Sequence, residues 1–200
     1  MRQTNILWKG REYDSLEHCL VTYTFEGVEI RSVIIGSIGG LTYRVEYLIK
    51  TNLHWETQSV ELYSWHQDRV QHFRLDSDTL GNWMSPEANV TKFQGCIDID
   101  IPLTPFTNSL PINRLNMTVG EAHVIKVLYF DVLEGAITTV NQKYTRTSQN
   151  TYHYENIPCD FEATIEVDAS GLVTDYPFLF VRTAQQNANY MIVPTMYLAP

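Results

Sequence analysis

The 200-residue sequence lacks most of the signatures that announce a chemistry. Its six histidines never form a His-x-x-x-His pair and no Cys-x-x-Cys occurs, so the ligand spacings of zinc sites are missing. No glycine-rich loop leads into a helical stretch, which removes the usual cradle for nucleotide phosphates. Gly36-Ser37-Ile38-Gly39 lacks the first glycine spacing of a nucleophile elbow. Asp76, Asp78, Gly81 and Glu87 match calcium-loop positions, but Leu80 stands where an oxygen ligand is needed. Glu17-His18-Cys19 puts a base beside a thiol, yet neighbours on a strand point to opposite faces, so no dyad is expected. Neither a metal nor a cofactor is expected.

Positive charge is also scarce. Fourteen Lys and Arg face 23 Asp and Glu, giving a net charge of −9. Such a surface repels phosphate backbones and anionic membranes, so nucleic acid is not an expected partner. The apolar run at 33–38 is interrupted by Gly36 and Ser37 and is too short to cross a bilayer. The first residues carry no apolar export signal. Three widely spaced cysteines, Cys19, Cys96 and Cys159, then read as reduced thiols, and the expected location is cytoplasmic. The sequons at Asn89 and Asn116 would go unused there.

Helical periodicity is missing too, apart from one short stretch at 109–114, where Asn108 or Ser109 would cap and Pro111 would sit in the first turn. What fills the chain is period-two alternation. Tyr43, Val45, Tyr47 and Ile49 alternate with Arg44, Glu46 and Lys50, as do Ala163, Ile165 and Val167 with Thr164, Glu166 and Asp168. Gly39-Gly40 sits between two such runs as a two-residue hairpin turn. The stretch 124–132 is nearly all apolar and predicts a central strand buried on both faces. With 44% apolar and 12% aromatic residues, one all-β domain with a real core is expected over 1–182. Residues 183–200, polar and then apolar with two prolines, read as a C-terminal tail.

The least ordinary segment is 95–115. Asp98 and Asp100 fall two apart on a strand, so their carboxylates share one face about 7 Å apart, with Ile97, Ile99 and Ile101 on the other. Thr104, Thr107, Asn108 and Ser109 come next, between Pro102, Pro105 and Pro111, and Arg114 is the nearby cation. One reading is a structured loop of capping and Asx turns; the other is a polar rim at the mouth of a cleft, suited to sugar hydroxyls or a polar headgroup.

At these residues the chain resembles the bacterial "putative glycolipid-binding" family. Asp98-Ile-Asp-Ile and Thr104-Pro-Phe-Thr-Asn-Ser-Leu-Pro-Ile-Asn-Arg-Leu115 carry the likeness. Gln142-Lys143-Tyr144, Asp175-Tyr176-Pro177, Trp8 and Leu53-His54-Trp55-Glu56-Thr57 extend it over about 8–182. Asn113 stands where the family often has a second Arg, which weakens any double-arginine anion site. The resemblance implies a long antiparallel sheet rolled into an open, barrel-like spiral with very little helix. It also implies a lipid or glycolipid ligand.

Three functions are compatible with these residues. The first is a non-enzymatic binding protein with a rim of Asp98, Asp100, Thr104, Thr107, Asn108 and Arg114, and with Trp55, Tyr144 and Tyr176 lining the cleft. The second is a glycoside or ester hydrolase using Asp98 and Asp100 or Glu17 as an acid–base pair. The third is an interaction module that self-associates through the tail.

Overall fold

The computed structural model describes residues 2–85, 90–158 and 160–188. Glu87, the Asn89 sequon, Cys159 and the tail from 189 onward lie outside the described residues. The alternating stretches form β1 (Arg2–Gly10), β2 (Asp14–Tyr23), β3 (Gly27–Ile38), β4 (Leu41–Asn52), β5 (Thr57–His66), β6 (Arg69–Ser77) and β7 (Trp83–Met84). After a connecting segment come β8 (Asp98–Asp100), the helix α1 (Ser109–Leu115), β9 (Ala122–Asp131), β10 (Ala136–Arg146), β11 (Thr151–Ile157), β12 (Glu162–Val167), β13 (Val173–Tyr176) and β14 (Phe180–Ala188).

The fourteen strands of the described residues belong to one sheet, in the order β7-β6-β5-β4-β3-β2-β1-β14-β13-β12-β11-β10-β9-β8. Each half is a meander, and the two halves join where β1 pairs with β14 in the middle of the sheet. The β3–β4 turn is Gly39-Gly40, with φ of +58° and +82°; two positive φ values are what a type I′ hairpin demands. Register shifts at Leu7/Trp8, Lys50/Thr51 and Glu166/Val167 add the local twist that lets so long a sheet curl. The curl brings Phe73 of β6 edge-on to Phe130 of β9 at 6.0 Å, although ten strands lie between them in sheet order. The edge strands β7 and β8 do not pair, so the result is an open roll rather than a barrel.

One pairing departs from the antiparallel expectation: β8 runs parallel to β9, with Asp98 opposite Val127 and Asp100 opposite Tyr129. A parallel neighbour cannot be reached by a tight turn and needs a crossover of a dozen or more residues. Residues 101–121, with their prolines and α1, are that crossover. They thread the inside of the roll. Ile101, Leu103, Phe106 and Leu110 pack with the first meander's inner face, alongside Val45, Ile49 and Leu62. Ile112 packs with Tyr144, Tyr152, Ile165 and Val173 of the second. The crossover is therefore the partition between two halves of the core.

Two smaller expectations also change. β9 is buried on both faces only around Val127 and Leu128; Val124 is exposed, because the three-residue β8 covers only the middle of its neighbour. Thr183–Ala188 is strand rather than tail: β14 pairs with β1 as far as Gln3↔Ala188.

Candidate functional site

The crossover carries an unusual density of buried polar groups, each held by another. Asp98 is fully buried and chelated by Arg114, whose Nε lies 3.1 Å from both carboxylate oxygens and whose Nη2 lies 2.6 Å from Oδ2. Burial still pushes the Asp98 carboxyl up, against the pull of the Arg114 hydrogen bond and charge. Two residues on, Asp100 has no cation among the described residues. Its Oδ1 accepts from the Thr107 hydroxyl at 3.1 Å and its Oδ2 from the Gln142 amide at 2.7 Å. Burial pushes this carboxyl up as well, with the bonds from Gln142 and Thr107 opposing it.

The network continues across β10. The Tyr144 hydroxyl donates to Asn108 Oδ1 at 2.9 Å and lies 3.3 Å from Gln142 Oε1. Asn108 stands at the N-cap position of α1 but makes no capping bond there. A 3-10 turn at Phe106–Asn108 feeds directly into the helix, so the Asn108 side chain is released toward Tyr144 and the Pro105 carbonyl. The Thr104 hydroxyl accepts from the Phe106 N–H at 3.0 Å, an ST turn that shapes the bend.

This network backs a pocket of about 310 Å³, lined by Asp100, Pro102, Thr104 and Asn108 from β8 and the crossover. Tyr129, Tyr154, Tyr176 and Phe180 line it from β9, β11, β13 and β14, with Tyr13, Phe161 and Leu179 from the turns. The hydroxyls of Tyr129, Tyr154 and Tyr176 make no hydrogen bond to any described residue. Desolvation first, then the Asp100 carboxylate, raises the pKa of Tyr129 to about 12. Next in sequence to the lining residue Leu179, Phe178 is 85% exposed, on a left-handed backbone with φ of +66° that a bulky residue rarely adopts.

Four of the nine residues singled out from the sequence meet in this pocket: Asp100, Thr104, Asn108 and Tyr176. Thr107 and Tyr144 stand one hydrogen bond behind, holding Asp100 and Asn108. Asp98 and Arg114 are occupied with each other. Trp55 lies elsewhere, in the β4–β5 turn against Tyr23. On β8, Ile99 and its neighbour Ile101 join the core as expected, and on the opposite face Asp98 is buried as well while Asp100 is half-buried. The acid–base couple of Asp98 and Asp100 does not assemble, since only Asp100 reaches the pocket. Tyr13, Tyr129, Tyr154, Phe161 and Phe180 were not legible as site residues; alternation marks such aromatics as core, and only tertiary proximity distinguishes lining from filling.

Glu17, the third candidate acid, is buried on β2. Its Oε1 accepts from Ser32 Oγ and Tyr47 OH, each at 2.7 Å, while Oε2 has no partner among the described residues. Burial pushes its carboxyl up to about 7. Tyr47 OH lies 3.3 Å from Thr104 Oγ1, so a polar contact line runs from Glu17 to the pocket lining. A groove of about 360 Å³ on the outer face of β2–β5 is slightly larger, but it is a shallow sheet surface. Its charged side chains are already paired, Arg31 with Glu29 and Glu61 with His72.

The protein is thus an open sheet roll, partitioned by a buried crossover and holding an aromatic pocket with a polar floor. The chain belongs to the family described as "Putative glycolipid-binding", whose model matches residues 5–182. It is similar to the crystal structure of a DUF1089 family protein from Pseudomonas aeruginosa. The two share 30% identity with a TM-score of 0.74, over 83% of this chain and 91% of that one. Nothing matches among curated proteins. Among the described residues no helix is long and apolar enough to cross a membrane.

Proposed function

We propose that this protein binds one small amphipathic molecule, a glycolipid or related lipid, with its polar head in the pocket beside Asp100, Thr104 and Asn108. The observation that carries the reading is the pocket's division of labour. Hydrogen-bonding groups form the floor and six aromatic rings form the wall. Aromatic faces pack against sugar rings and alkyl chains alike, while the floor selects a polar group. The family description supports the same class of ligand.

Size sets the orientation. Pockets for small molecules span roughly 300–1,000 Å³, and one of about 310 Å³ takes a headgroup and not a pair of acyl chains. The chain would leave past Leu179 and Phe161, the apolar part of the lining away from the floor. Nothing in this role requires catalysis; the protein would hold or carry its ligand.

The test is a titration with octyl glucoside below its micellar concentration, read by thermal shift and tyrosine fluorescence, with mass spectrometry of lipid co-purified from cells. Saturable binding that is weakened at least about tenfold by Tyr176→Ala supports the reading. The absence of both co-purified lipid and any thermal shift, with glucosides and lipid extract alike, refutes it.

A further inference from the structure

The pocket contains a half-buried carboxylate, Asp100, with no counter-charge among the described residues, and that points to the ligand it would take. Asp98 and Asp100 sit on the same three-residue strand; Asp98 is fully buried, and Asp100 is half-buried where it opens on the pocket. Asp98 has Arg114, whose guanidinium lies within 3.1 Å of both its oxygens. Asp100 has only the neutral hydroxyl of Thr107 and the neutral amide of Gln142. Buried charges in proteins are paired, because an isolated carboxylate out of water is expensive. Among the described residues no Lys, Arg or His lines the pocket onto which Asp100 opens, and the other charged side chain in the lining, Glu12, is also acidic. Asp131 and Asp160 add negative charge near Tyr129 and Tyr154.

The wall has the matching property. Tyr154, Phe161 and Tyr176 form a triangle with ring centroids 6.1–6.3 Å apart and interplanar angles of 52–67°. Phe180 continues it from Tyr176 at 6.3 Å, and Tyr13 from Phe180 at 6.5 Å. Tilted aromatic faces around a carboxylate are the recognition chemistry of ammonium groups, above all of methylated ones. A phosphate or carboxylate head would meet only repulsion here. A plain sugar would satisfy hydrogen bonds but leave the charge unmatched.

We infer that the pocket selects an amphiphile whose head carries a positive charge, an ammonium or quaternary ammonium group seated between Asp100 and the Tyr154–Phe161–Tyr176 triangle. This rests on the binding function proposed above and names the head that the site prefers. The raised pKa of Asp100 agrees with it, since a bound cation would restore the ionised form.

The experiment compares three probes of equal chain length, octyltrimethylammonium, octyl glucoside and octyl phosphate, by calorimetric titration against the full chain and its D100N variant. Asn Oδ1 can still accept from Thr107, and its Nδ2 can donate to Gln142 Oε1 once that amide turns over, so the fold should hold. The expected result is that the ammonium probe binds at least about tenfold more tightly than the glucoside, that the phosphate does not bind, and that D100N erases the preference. A second variant, Tyr154→Leu, should weaken the ammonium probe more than the glucoside, and it keeps the test sharp if D100N unfolds. Glucoside binding equal to or tighter than ammonium binding, or a preference that survives D100N, overturns the cationic head and leaves the binding function standing. No binding by any probe overturns both.

Discussion

Replacing Glu17 by Gln separates the energetics of the roll's interior from everything else that titrates. Glu17 is 2% exposed, spends one oxygen on Ser32 and Tyr47, and leaves the other without a partner among the described residues. Burial raises its carboxyl from the usual 4.5 to about 7 in the folded chain. A carboxyl whose folded pKa lies above its unfolded value binds its proton more tightly when folded. Its stabilising contribution is therefore complete below pH 4.5, is lost as pH rises, and is gone above about pH 7. A shift of that size corresponds to about 3 kcal/mol. Glutamine cannot ionise, so the variant lacks this loss, while Asp98, Asp100 and every other group titrate alike in both proteins. Urea unfolding by tryptophan fluorescence, repeated at half-unit steps from pH 4 to pH 8, gives the difference in stability between the two. The variant should gain on the parent by about 3 kcal/mol across pH 4.5–7 and run parallel outside that window. A difference that stays constant with pH would show that Glu17 ionises as in water, and would refute the reasoning from its burial.

Other outcomes depend on the same interior. Arg114→Ala should cost about 3–5 kcal/mol in urea unfolding, because it strands Asp98 without a counter-charge; adding Asp98→Asn should recover part of the loss. Cys19 and Cys96 are fully buried; burial pushes the Cys96 thiol up to about 11, and burial also raises the Cys19 thiol well above its ordinary value. Neither should react with a disulfide reagent at pH 8 until the chain is unfolded, as peptide mapping of the labelled protein would show.

Much of this fold is legible in residues a few places apart. The alternation of Tyr43, Val45, Tyr47 and Ile49 fixes β4 and its buried face, because strand side chains repeat every two residues wherever they occur. Gly39-Gly40 fixes the turn before it for an equally local reason. Asp168 and Gly171 do the same near the other end: the Asp168 carboxylate caps the Ser170 and Leu172 N–H groups. The segment 95–115 was recognisable as special from its own composition, and Asp100, Thr104, Asn108 and Tyr176, singled out from the sequence, line one pocket.

Where that segment goes was not legible. Composition gave it polar groups, and polar groups suggest a surface; the structure buries them inside the roll as a parallel crossover. That outcome depends on β8 adding beside β9 and on two meanders closing over the connection, which are pairings between residues far apart in the chain. Asp98 and Asp100 show the difference most clearly. The sequence by itself makes them equivalent, two carboxylates in the same repeat. Only the tertiary structure sets Arg114 against one and an open aromatic pocket against the other, because a charge is matched by its neighbours in space and not by its neighbours along the chain.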